Sequence, residues 1–170
     1  MKPMRGQIGR ELRWLRTSLM PTEYELHSGD DIVARIVTKG WFRRTAEITL
    51  AEDRWVIRPP RLITRSLLIE RQADGEPVAL YEGRLRSGDL TFTSGEVFTI
   101  SRQGLFPLSI RVDNATGSRI LTVNWGWPSI RNVGQVQIEA AGSAEPLLGL
   151  LTVIAFHVLV LRRRRAARSG

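Results

Sequence analysis

Residues 146–161 read PLLGLLTVIAFHVLVL and run directly into Arg162-Arg163-Arg164-Arg165. The stretch holds no formal charge, and its only polar side chains are Thr152 and His157. Pro146 suits a helix start, because its missing N–H would have no partner there and its φ is already helical. Glu145 before it and the arginines after it complement the two ends of the helix dipole. The helix is apolar on every side, so protein or lipid must surround it. At about 1.5 Å per residue it is roughly 24 Å long, against a hydrocarbon core of about 30 Å. Length alone leaves both surroundings open.

Upstream the period of the apolar residues is two. Ala46-Ile48-Leu50 alternates with Thr45-Glu47-Thr49, Leu108-Ile110-Val112 with Ser109-Arg111-Asp113, and Val136-Ile138 with Gln135-Gln137-Glu139. Such segments are strands with one buried face and one wet face. Less regular candidates cover 31–38, 54–58, 62–70, 78–82, 89–93, 96–101 and 118–125. Ser28-Gly29-Asp30, Asp74-Gly75, Ser87-Gly88-Asp89, Ser94-Gly95 and Thr116-Gly117 carry the turn chemistry between them. Turn signals at intervals of roughly 8–12 residues predict an all-β chain of about ten to twelve short antiparallel strands. Closing them into a barrel removes the exposed edges. So many strands enclose more space than their own side chains fill. The helix 146–161 is the candidate to fill it, with Leu147, Leu150, Leu151, Ile154, His157, Val158 and Leu161 as its core contacts.

The net charge of +8 divides unevenly. Residues 1–20 carry +4, residues 162–170 carry +5, and the body 21–161 carries −1. In the first segment Ile8, Leu12, Leu15 and Leu19 recur at helical spacing, with Arg10, Arg13 and Arg16 largely off the stripe and Trp14 at its border. The spacing predicts a short basic amphipathic helix that ends at Pro21, placed either on a membrane or over an open end of the domain. The expected organisation is therefore an N-terminal helix in 1–21, a barrel with its helix in 22–161, and an arginine tail in 162–170. A near-neutral body excludes the basic stripe of a typical nucleic-acid reader, whereas two basic termini fit an anionic membrane surface. Arg10, Arg13, Trp14, Arg16, Arg162, Arg163, Arg164 and Arg165 are the expected lipid-surface contacts.

The strand-rich body 24–139, the lead-in from Gly142 to Pro146 and the closing apolar helix together resemble the tubby-like barrel superfamily. That superfamily includes the LURP-one-related proteins, their bacterial relatives and the phospholipid scramblases. The resemblance implies an antiparallel barrel threaded by its C-terminal helix, and a non-enzymatic, membrane-associated role in lipid binding or as a scaffold. The acidic calcium-binding segment of the scramblases is not reproduced by the lone Glu145, so no metal is expected.

Chemistry-bearing clusters are sparse. The chain has no cysteine, which excludes disulfides and thiolate metal sites. His27 with Asp30 and Asp31 reads as solvated turn residues, and His157 as a buried helix residue. No glycine-rich loop precedes a helix to cradle a nucleotide. Trp125-Gly126-Trp127-Pro128 reads as an aromatic bend that lids the barrel. The expectation is no catalytic residue, no cofactor and no nucleic-acid partner, in a cytoplasmic protein peripheral to a membrane, since no apolar stretch follows Lys2 and Arg5. The alternative is a tail-anchored protein with 146–161 as its single span and an extramembrane β-domain.

Overall fold

The computed structural model describes residues 11–39, 45–51, 53–60, 65–104, 108–126 and 132–167. The first six strands are β1 (Leu12–Leu19), β2 (Thr22–Ser28), β3 (Asp31–Lys39), β4 (Thr45–Leu50), β5 (Asp53–Arg58) and β6 (Leu67–Arg71). The second six are β7 (Pro77–Gly83), β8 (Ser87–Phe92), β9 (Val97–Gln103), β10 (Ser109–Asn114), β11 (Arg119–Trp125) and β12 (Asn132–Ile138). Each pairs antiparallel with the next in sequence, and β1 pairs with β12, so the sheet closes into an up-and-down barrel. One helix, α1 (Leu148–Ala166), follows a short 3-10 turn at Ala140–Gly142.

Geometry dictates what the barrel must hold. Twelve strands about 4.8 Å apart, tilted by about 40°, close at a radius of about 12 Å. That matches the 8–10 Å at which a packed helix sits from its neighbours, plus a little slack (~2 Å). Every residue from Leu150 to Leu161 is buried, none more than 8% exposed. The helix touches β10 and β11 and also β3 and β4, which lie on opposite sides of the ring. It is therefore enclosed by the wall. Thr152 gives its hydroxyl proton to the Leu148 carbonyl at 2.8 Å, so this polar side chain is satisfied within the helix. No helix among the described residues is long and apolar enough to cross a membrane.

Large rings of the wall and the helix meet inside, and glycines make room beside them. Phe156 stacks on Trp14 of β1, with centroids 4.1 Å apart and planes 10° apart. Tyr24 of β2 meets the same ring edge-on at 5.1 Å. A Cβ on Gly134 of β12 would lie 3.5 Å from the Phe156 ring of the helix, and one on Gly88 of β8 would lie 2.6 Å from the Tyr81 ring of neighbouring β7. Gly142 is tighter still, since a Cβ there would lie 2.2 Å from the Ile120 carbonyl oxygen. That close approach lets the chain turn from β12 over the rim and enter the barrel. Glu145 then accepts the Leu147 N–H at 3.1 Å and opens the helix.

Several expectations need correction. Residues Leu12–Leu19 form a strand, not an amphipathic helix; Arg10 lies outside the described residues. As a strand the segment gains ladders on both sides, to β12 and β2, and supplies the closure that removes both edges. Register shifts at Trp14/Leu15 and Arg16/Ser18 break its alternation, which is why its period looked helical. The barrel accordingly begins at Leu12, ahead of the expected boundary. Trp14 is 0% exposed against the central helix and cannot meet a lipid surface. Ser87-Gly88-Asp89 belongs to β8, and the turn is Arg84-Leu85-Arg86 instead. The helix runs through the arginines to Ala166. Trp127 and Pro128 of the expected lid lie outside the described residues.

Candidate functional site

In an up-and-down barrel, alternate connections fall at alternate ends. One end carries the β2–β3, β6–β7, β8–β9 and β10–β11 hairpins and the passage from β12 into α1. The described residues of these connections include Asp30, Asp74, Glu76, Glu96, Glu139 and Glu145, and no lysine or arginine. The opposite end carries the β1–β2 and β7–β8 hairpins, the approach to β6 and the exit of α1. Its described connections and helix tail hold Arg65, Arg84, Arg86, Arg162, Arg163, Arg164 and Arg165, and no carboxylate. The connections of a body that is nearly neutral in sum are thus divided by sign between its two ends, and the tail adds four arginines to the basic one.

On the wall, by contrast, several cations are matched to carboxylates. Arg58 of β5 forms two hydrogen bonds to Glu70 of β6, at 2.6 and 2.7 Å. Lys39 of β3 meets Glu47 of β4 at 2.5 Å, and within β10 Arg111 meets Asp113 at 2.5 Å. Arg35 of β3 bridges Glu25 at 2.7 Å and Glu23 at 2.9 Å on β2. Burial pushes the Glu25 carboxyl up, but hydrogen bonds from His27 and Arg35, with their charges, outweigh it and hold the group below its ordinary value. His27 faces Glu25 at 3.0 Å, not the Asp30–Asp31 turn.

The sign of this shift fixes a pH dependence. A depressed carboxyl stabilises the fold fully above its unfolded value near 4.5, and the contribution fades as pH falls through the folded value. Glu25→Gln should lower stability near neutral pH by on the order of 1 kcal/mol. The gap to the parent should narrow as pH falls below the ordinary carboxylate value. Thermal melts of both proteins from neutral pH into the acid range check this; a gap that does not depend on pH would show that the charge of Glu25 is not what stabilises.

At the arginine end the helix exit is tied into the rim. Arg162 donates to the Arg86 carbonyl at 2.9 Å and to the Tyr81 hydroxyl at 3.1 Å. The Arg163 guanidinium lies over the Trp125 ring at 4.1 Å. Trp125 is parallel to Phe156, two helical turns deeper, at 6.2 Å. A cavity of about 20 Å³, room for a single water, is lined by Arg65, Arg84, Arg162 and Arg165 over Tyr81 and Leu161. Arg84 also meets Asp89 at 3.3 Å.

The eight expected surface residues therefore do not form one patch. Arg162 to Arg165 crown one mouth. Arg13 lies toward the acidic end, where it pairs with Glu11 at 2.5 Å, and Arg16 is half-buried in the wall. Arg65, Arg84 and Arg86 were missed, because only the topology brings them beside the tail. Of the expected helix residues, Leu150, Leu151, Ile154, His157, Val158 and Leu161 are buried and Leu147 is partly so.

An open cleft of about 360 Å³ lies between β5 and β6, lined by Asp53, Arg54, Trp55, Arg71, Gln72 and Ala73. Its Arg71 is engaged with Asp74 at 2.9 Å, and no nucleophile–base pair converges there. Among the described residues no group of three or more metal-ligating side chains forms.

Fold and site together define a class: a closed twelve-stranded antiparallel barrel filled by its own C-terminal helix, with an arginine-crowned mouth. Comparison with protein-family models, curated proteins and solved structures finds no match.

Proposed function

We propose that this chain is a non-enzymatic, tubby-like membrane-associated module that binds anionic lipid surfaces through its arginine mouth, as a lipid-binding or scaffold domain peripheral to the membrane. The observation that carries the reading is the segregation of charge: seven arginines at one end of the barrel and carboxylates at the other. The tubby-like assignment is supported by the closed barrel and the enclosed apolar helix. Each arginine close to an anionic leaflet contributes about 1 kcal/mol, so the crown contributes at most about 7 kcal/mol, a Kd near 10 μM. The acidic end is repelled by the same surface, which gives the attraction a direction.

Sedimentation with vesicles tests this. The protein should bind phosphatidylcholine vesicles containing phosphatidylserine at low salt and leave them at about 1 M salt, where the Debye length is about 3 Å. Vesicles of phosphatidylcholine alone should leave it in the supernatant. Arg84→Gln, Arg86→Gln and Arg165→Gln combined should weaken binding on the order of 100-fold. Absence of binding at low salt, or equal binding to neutral and anionic vesicles, sinks the proposal.

A further inference from the structure

The most exposed apolar side chains of this barrel gather at one end, while Leu80 on β7 and Val97 at the start of β9 are only just over a third exposed. Among the described residues the most exposed large hydrophobics are Met20 at 84%, Leu85 at 74% and Leu19 at 65%. All three sit on hairpins at the arginine end: Leu19 ends β1, Met20 follows it in the turn to β2, and Leu85 lies between β7 and β8. Leu85 stands between Arg84 and Arg86. The two hairpins are six strands apart in a ring of twelve, so they face each other across the mouth. An isolated exposed leucine needs no explanation, but apolar tips gathered on one end of a molecule mark a contact.

Resting on the lipid-surface reading, we propose that the barrel docks end-on. The Leu19–Met20 and Leu85 tips enter the acyl boundary while the arginines around them meet phosphate and carboxylate head groups. Two tips on opposite sides of one rim define a line across the mouth, so inserting both prevents tilt along that line, and the arginines of the same rim hold the barrel upright about it. The acidic end then points away from the membrane, and so does the start of β1, because Leu12 pairs with Ser28 beside the β2–β3 turn. Arg13, at the start of β1, thus does not meet the surface that Arg162 to Arg165 grip. A nucleic acid would satisfy the arginines but offers no apolar phase to these side chains, which is why the bilayer is the favoured partner.

The chain has no cysteine, so single labelling sites can be introduced cleanly. Leu85→Cys, Met20→Cys and, as a control at the acidic end, Ala115→Cys would each carry an environment-sensitive fluorophore. On phosphatidylserine-containing vesicles with spin-labelled acyl chains, the labels at 85 and 20 should shift to the blue and be quenched. The label at 115 should stay as in water. Unlabelled Leu85→Ser and Met20→Ser should each weaken partitioning about tenfold and leave its salt dependence unchanged, whereas arginine substitutions reduce that dependence.

The outcomes separate the two levels of the argument. Sedimentation with the vesicles while labels 85 and 20 remain in water overturns insertion and leaves the charge-driven reading standing. Quenching at 115, or at only one of the two tips, overturns the end-on orientation. Failure to sediment with anionic vesicles at low salt removes the lipid-surface reading itself, and this inference with it.

Discussion

A chain ending at Glu145 is expected to lose cooperative folding altogether. Truncation removes the buried Leu148 and the buried run Leu150 to Leu161, and leaves a wall whose inward side chains face a space as wide as a helix. Each large side chain in that run contributes about 1.5–3 kcal/mol on burial, and their sum exceeds the 5–15 kcal/mol by which a domain is usually stable. Loss of the near-UV circular dichroism of the tryptophans, with aggregation, is the expected signature. Ile154→Asp in the full chain should act in the same direction, because it buries a charge at a position that is 0% exposed. A soluble truncation with a sharp thermal transition would mean that the strands close on one another without the helix, and the central argument of the fold would fail.

Phe156→Ala is expected to have the largest effect of any substitution that keeps the fold. The ring is fully buried and is the hub of an aromatic group: Trp14 stacked at 4.1 Å, Tyr24 edge-on at 5.1 Å, Trp125 parallel at 6.2 Å. Truncating a buried phenylalanine costs about 3–5 kcal/mol, or a melting temperature lower by roughly 10 °C in a domain of this size. Because three strands and the helix meet at this ring, the near-UV spectrum should change as well. Phe156→Leu should recover much of the stability but not the stacking. A loss below about 1 kcal/mol for Phe156→Ala would show that the cavity collapses and that the ring is not a keystone.

How much was legible in the sequence differs from element to element. Strands with alternating apolar residues, such as Ala46-Ile48 and Ile110-Val112, could be read because those residues pack inward while polar ones take the other face. The segment Leu12–Leu19 could not, because two register shifts hide its period and its pairing partner β12 lies some 120 residues away. Ser87-Gly88-Asp89 has the composition of a turn, yet Gly88 is a strand residue chosen for the Tyr81 ring beside it. The arginine tail was conspicuous, but Arg65, Arg84 and Arg86 were not, since nothing local distinguishes them from Arg58 or Arg111, which pair with carboxylates on the wall.

The amino-acid sequence by itself determined that this chain is strand-rich, that it ends in a helix apolar on every side, and that this helix must be surrounded. Those properties are local: periodicity, turn residues, and the dipole-matched flanks Glu145 and Arg162 to Arg165. Only the tertiary structure decided that strands surround the helix. Only it placed β1 as the closing strand, and brought the arginines and the most exposed apolar tips to one mouth. Those properties depend on which residues stand side by side around a closed ring, where neighbours in space are separated by a whole circuit of the chain.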